Sequence, residues 1–172
     1  MGWLHRIGRL ARHRWNEDGR LHRAMPAALL GRLETQVAAS ETRHTGEIRI
    51  YVEAGLPNSY IWRDATARER AISVFGKLRV WDTEQNNGVL IYLLLAEHAI
   101  EIVADRGLSR QVAAEYWSEV LAHMRDAFRA GRIEDGMLQA LGEVEELLVK
   151  HFPADSPVGG GPNELPDAPV LG

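Results

Sequence analysis

Apolar positions along the chain change their spacing several times, and each change marks an element. Leu29, Leu30, Leu33 and Val37 fall on one helical stripe after Pro26, which suits a first turn, so residues 26 to about 43 are predicted to form an amphipathic helix ended by Gly46. From Glu47 the period is two. Ile48, Ile50 and Val52 share one face, and Glu47, Arg49, Tyr51 and Glu53 the other, which is the pattern of a half-buried strand broken by Gly55, Pro57 and Asn58. Helical spacing returns over 62–79, where Ala71, Ile72, Val74, Phe75 and Leu78 form the apolar side. The uninterrupted apolar run from Gly88 to Ala96 predicts a central strand covered on both faces. A turn at Glu97 and His98 and renewed alternation over 99–104 make the second and third strands a hairpin. Two striped helices follow. Val112 to Phe128 form the first, with Ser109 as its expected N-cap, and Ile133 to Leu148 form the second, with Gly131 between them.

The order helix, strand, helix, strand, strand, helix, helix predicts an α/β fold. The strand–helix–strand crossover makes the first two strands parallel and sets helices on both sheet faces. The expected architecture is therefore a three-layer α/β/α sandwich around a small mixed sheet, occupying residues 25–153. Residues 1–24 precede it as a basic amphipathic arm, in which Trp3, Leu4, Ile7, Leu10 and Ala11 alternate with Arg6, Arg9, Arg12 and Arg14. Residues 154–172 are expected to be a disordered tail. Five prolines and the run Gly159-Gly160-Gly161 fall within the last twenty residues, too little apolar surface to order a segment.

Composition narrows the function. The 172 residues contain no cysteine, which excludes disulfides, thiolate metal sites and a Cys nucleophile, and suits a reducing cytoplasm. The net charge of −4 conceals an arm of +4 over residues 1–23 and a body of −8. An acidic body argues against nucleic acid as a partner. The basic arm fits either a protein partner or peripheral contact with an anionic membrane at its inner face. The longest apolar run, 88–96, is well short of a bilayer span, and the N-terminal region has no apolar core of a secretory signal. Met1-Gly2 is followed by Arg6 where myristoylation expects Ser or Thr.

Candidate chemistry gathers on one edge of the predicted sheet. Antiparallel pairing of the hairpin puts Asp105 and Arg106 beside Asn87, and parallel pairing brings Glu47 to the same rim, with Glu41 and His44 close by. The loop before the central strand adds Trp81, Asp82, Glu84 and Asn86. Asp82, Asn87 and Asp105 offer oxygen ligands to a hard cation such as Ca²⁺ or Mg²⁺, which would polarise a phosphoryl oxygen. The alternative is turn chemistry, in which the same residues cap and close loops. Trp81 either anchors its loop or contacts a partner. The carboxyl ends of the parallel strands, the usual ligand edge of such sheets, lie opposite, near Glu53, Gly55, Glu97 and His98. No nucleotide-binding or serine-hydrolase motif occurs. The other histidines are expected on the surface.

The ordered segments Glu41-Thr-Arg-His-Thr-Gly46-Glu47-Ile48, Asn86-Asn87-Gly88-Val89-Leu90-Ile91-Tyr92 and Val103-Ala104-Asp105-Arg106-Gly107 resemble the TPM-domain family over roughly residues 28–153. Phe75 to Thr83, Trp117, Phe128 to Arg132 and His151-Phe152-Pro153 support the resemblance. It implies an α/β/α sandwich. It also implies either an assembly or accessory factor, or a weak divalent-metal-dependent acid phosphatase of the kind associated with plant and some bacterial members. Many members carry Asp where this chain has Asn86 or Asn87, which favours the non-catalytic alternative. The chain looks like the soluble bacterial subgroup, whose implied partners are membrane-bound TPM or LemA-like proteins.

Overall fold

The structure is a computed structural model that describes residues 3–14, 17–154 and 162–172. Two short helices open it, α1 (Trp3–Arg14) and α2 (Glu17–Ala24), followed by α3 (Ala27–Glu41). Next come β1 (Ile48–Glu53), α4 (Asn58–Trp62), α5 (Ala67–Lys77), β2 (Val89–Leu94) and β3 (Ala99–Ala104). After α6 (Arg106–Ser109), α7 (Ala114–Arg129) and α8 (Ile133–His151), the chain ends in β4 (Val170–Leu171). The sheet order is β3-β2-β1-β4, with β1 parallel to β2 and to β4, and β2 antiparallel to β3.

The predicted sandwich is present. Ile48, Ile50 and Val52 join Val89, Ile91, Leu93, Ile100 and Ile102 in one core, closed by Leu29, Leu33 and Val37 of α3 and by α7 and α8. The opposite face of β2, with Leu90, Tyr92 and Leu94, packs against Ala67, Ala71 and Val74 of α5 and against Leu56 and Ile61. Burial of β2 on both faces explains its unbroken apolar run.

Two local expectations are corrected. The helix predicted over 62–79 is confined to α5, because Thr66 and Glu69 form a reciprocal capping box that starts it, while Trp62 ends the separate α4. Ser109 does not cap the following helix. Asp105 accepts the Arg106 backbone N–H at 2.7 Å and nucleates α6, which ends at Ser109, so α7 begins after Ala113.

The C-terminal segment departs most from expectation. Residues 162–172 lie against the body. The Glu47 carboxylate accepts the backbone N–H groups of Glu164 and Leu165 at 3.0 and 3.1 Å, Leu165 is buried, and Val170 and Leu171 pair with Tyr51 and Val52. Composition argued for disorder, but the unpaired edge of β1 and an acceptor at its start supply the missing stabilisation. Residues 155–161 lie outside the description.

Arg9 and His13 seat α1 on the body. Arg9 donates to Glu97 Oε1 at 2.7 Å, to Asp64 Oδ1 at 3.2 Å and to the Ala65 carbonyl at 2.7 Å. His13, expected on the surface, is fully buried. Its Nδ1 accepts the Leu56 backbone N–H at 2.9 Å, so the proton sits on Nε2, which donates to Glu97 Oε1 at 2.9 Å. A His13→Ala change strands a buried backbone N–H and should cost about 2 kcal/mol in chemical denaturation. His13→Asn, whose Oδ1 can replace Nδ1 as acceptor, should recover roughly half of that loss.

Candidate functional site

The amino-terminal edge of the sheet gathers the three polar segments that topology assigns to it. Val89 N donates to the Glu47 carbonyl at 2.8 Å, and Asp105 N donates to the Gly88 carbonyl at 2.8 Å, so β1, β2 and β3 present Glu47, Asn87 and Asp105 along one rim. Close approach requires two glycines. A Cβ on Gly88 would stand 1.9 Å from the Val80 carbonyl oxygen, and one on Gly107 would stand 2.5 Å from that of Asn86.

The loop leading to β2 uses its polar residues to hold itself. Asn86 takes the left-handed conformation at φ 54°, which Asn tolerates better than most residues. Its carbonyl accepts Gly107 N at 2.8 Å, and its Oδ1 accepts Arg106 Nε at 2.8 Å. Asn87 is fully buried. Its backbone N–H donates to Thr83 Oγ1 at 3.1 Å, and its Nδ2 donates to Thr45 Oγ1 at 3.3 Å. Asp82 forms an exposed pair with Arg79, Trp81 is 45% exposed, and the Glu84 backbone N–H donates to the Glu164 carboxylate.

Two oxygens remain without a donor. Asn87 Oδ1 and Asp105 Oδ2 are buried and unpartnered in the protein, and they are ligands of the hard type that Ca²⁺ and Mg²⁺ prefer. No group of three or more His, Cys, Asp or Glu side chains able to hold a metal occurs among the described residues. Asn87 and Asp105 are the residues that could lend oxygens to a cation here, and the two alone fall short of an all-protein cage.

Beside them lies a buried charged cluster. Glu41 Oε1 accepts Ile48 N at 3.2 Å, and burial, with Glu47 next and Asp167 behind, raises its pKa to about 8. Burial likewise raises Glu47, against the two backbone N–H groups it accepts. Arg49 is buried with one guanidinium nitrogen unpartnered, and burial lowers its pKa against the pull of Asp167, Glu41 and Glu47. His44 is buried and neither ring nitrogen has a well-formed hydrogen bond; burial holds its pKa near 4, against a backbone contact at Gly46.

Sequence reasoning missed a second buried polar group on the same face of β1. Arg70 of α5 grips Glu53 through Nε at 2.9 Å and Nη2 at 2.5 Å, and Tyr92 Oη donates to Glu53 Oε2 at 2.7 Å. The hydrogen bond to Glu53 raises Arg70, while burial and the Glu53 charge raise Tyr92. The only signal for it in the sequence is a tyrosine inside an otherwise aliphatic strand.

The fold and its rim define an α/β/α sandwich whose loop before β2 and turn after β3 build a shared polar edge. The chain belongs to the TPM domain family, whose family model matches residues 24–147. The NMR structure of the BA42 protein from the psychrophilic bacterium Bizionia argentinensis is similar, with a TM-score of 0.73 and 24% identity over 85% of this chain and 94% of that one. That likeness is one of fold. No curated protein matches the chain.

The two kinds of buried group give opposite pH dependences. Glu41 keeps its proton to about pH 8 when folded against an ordinary 4.5, so its stabilisation is complete below 4.5 and lost as pH rises to 8. His44 is held near 4 against 6.5, so its contribution is complete above 6.5 and lost as pH falls towards 4. Between pH 6.5 and 8 the Glu41 effect stands unopposed by His44. The unfolding free energy from denaturant titration should fall over that range by about 1 kcal/mol, after discounting for partial exposure. Glu41→Gln should remove most of the fall.

Proposed function

We propose that the chain is a non-catalytic TPM-domain binding and assembly module that acts with membrane-associated protein partners. The observation that carries this reading is the exposure of Ile7 on α1 and Trp62 on α4, at 39% and 50%, on two helices that pack against each other. Large apolar side chains on neighbouring helices are anchors of the kind that dominate protein interfaces. Arg9, although part of the basic arm, is turned to the body through Glu97 and Asp64, whereas Ile7 of the same helix is exposed. At the rim, the side chains of Glu41, Glu47, Asp105 and Asn86 accept hydrogen bonds from the chain itself and serve as supports.

Co-sedimentation tests the reading. The chain should pellet with bacterial inner-membrane vesicles and lose most of that binding when the vesicles are protease-treated, or when Ile7→Glu and Trp62→Glu are combined. Equal pelleting with protein-free anionic vesicles, or no loss in the double variant, would overturn it.

A second reading, a weak divalent-metal-dependent acid phosphatase, draws on the unpartnered Asn87 Oδ1 and Asp105 Oδ2. A cation bound there would polarise a phosphoryl oxygen, with Asn87 and Asp105 orienting it. On the leading reading, millimolar Mg²⁺ or Ca²⁺ leaves the unfolding midpoint unchanged. A rise of several degrees that disappears in Asp105→Asn, a change that keeps an N-cap residue at α6, would favour the metal-dependent reading instead.

A further inference from the structure

The outer edge of β1 is covered by a piece of chain from beyond the matched domain. The TPM family model spans residues 24–147, which include β1, whereas the covering segment is 162–172. Its strand pairing is confined to Val170 and Leu171, although all six residues of β1 pair with β2 on the other side. Among residues 162–172 only Leu165 is buried. A short pairing with one buried anchor belongs to the parts of a protein that open locally, well below the free energy of global unfolding.

What the edge offers is a set of backbone partners and two side-chain tests. The Glu47 carboxylate accepts the N–H groups of Glu164 and Leu165, Gly172 N donates to the Val52 carbonyl at 3.0 Å, and Ala54 N donates to the Gly172 carbonyl at 3.3 Å. These bonds suit any extended chain in parallel register. Selection comes from the side chains. Leu165 enters the cluster that holds Leu56, Leu90 and Tyr92. A Cβ at position 172 would stand 1.9 Å from Tyr51 Oη, and the Tyr51 ring is stacked on buried Tyr92 with centroids 6.0 Å apart, so only glycine fits there. With the segment lifted off, Glu47, the Val52 carbonyl and the Ala54 N–H would lose these partners, leaving an edge of the kind that recruits an extended strand.

We propose that the β1 edge is a docking site for an extended segment of a protein partner, and that residues 162–172 are its tethered, exchangeable occupant. The partner segment presents a leucine-like anchor at the place of Leu165 and glycine at the place of Gly172. The inference rests on the reading of the chain as a partner-binding module, but it uses neither Ile7 nor Trp62. Its test is read without membranes, so its failure would leave the co-sedimentation result untouched.

A fluorescein-labelled peptide of residues 162–172, titrated into the full chain and followed by anisotropy, tests it. On the wild-type chain the tethered copy competes at an effective concentration on the order of millimolar, so binding should be weak. The full chain carrying Leu165→Asp with Gly172→Val cannot seat its own segment. It should bind the peptide saturably and about a hundredfold more tightly, with amide shifts at Ala54 and at Glu84, whose N–H meets Glu164 in the seated segment. A peptide carrying Gly172→Val should bind this variant about tenfold more weakly. Equal binding by the two chains, no saturable binding to a folded double variant, or full affinity of the altered peptide would each overturn the proposal. So would a concentration-dependent dimer of the wild-type chain that the double variant loses, which would assign the segment to exchange between copies. Should the double variant fail to fold, hydrogen exchange of the wild-type chain decides. The Glu164, Leu165 and Gly172 amides should exchange about a hundredfold faster than that of Val89, and equal rates would overturn the proposal.

Discussion

The charged face of β1 is the constraint on which the rest of this structure depends. Ile48, Ile50 and Val52 satisfy one core, and the pleat then drives Glu47, Arg49, Tyr51 and Glu53 towards the other, where Glu47, Arg49 and Glu53 are each less than 5% exposed. A buried charge costs several kcal/mol unless matched. Glu53 is matched by Arg70 and Tyr92, which fixes α5 over the sheet and the one polar side chain of β2 beneath it. Glu47 is matched by two backbone N–H groups of the C-terminal segment, which brings β4 to the edge of β1. Both outer neighbours of the strand are thus placed by its polar residues, while its apolar residues set the register with β2.

That division explains what the sequence discloses. Periods of 3.6 and 2 identify α3, β1, β2, β3, α7 and α8, because each buries a regular stripe; the parallel crossover and the hairpin follow from their order. Partners of buried charges leave no such trace. Arg70 lies 17 residues from Glu53, and Glu164 lies 117 from Glu47, so nothing local shows that the polar face of β1 is covered. The C-terminal segment reads as disorder by composition because its ordering comes from an edge and an acceptor elsewhere in the chain. His13 reads as a surface group on a basic helix because its acceptor role is to the Leu56 backbone, which carries no sequence signature.

The rim shows the same limit in finer detail. Topology suffices to predict that Glu47, Asn87 and Asp105 share an edge. What each side chain does there is decided by backbone geometry: a left-handed Asn86, an N-cap at Asp105, and Thr45 and Thr83 hydroxyls turned to Asn87. A cap and a ligand require the same residue types, so type and spacing alone leave turn chemistry and metal binding equally open.

Electrostatics bears on which of these the rim favours. Counted from the sequence, Glu41, Glu47 and Asp105 would make it strongly negative. With its pKa near 8, however, Glu41 is mostly protonated at pH 7, Glu47 is shifted in the same direction, and Arg49 is buried among them with a positive charge of its own. A divalent cation approaching Asn87 and Asp105 therefore meets less negative potential than the residue list suggests, in competition with a resident guanidinium. An amide at position 87 in place of a carboxylate weakens the attraction further. Neutral or internally paired groups can be buried without a ligand to compensate them, which suits the rim to supporting the sheet. In this chain the rim consolidates the sheet.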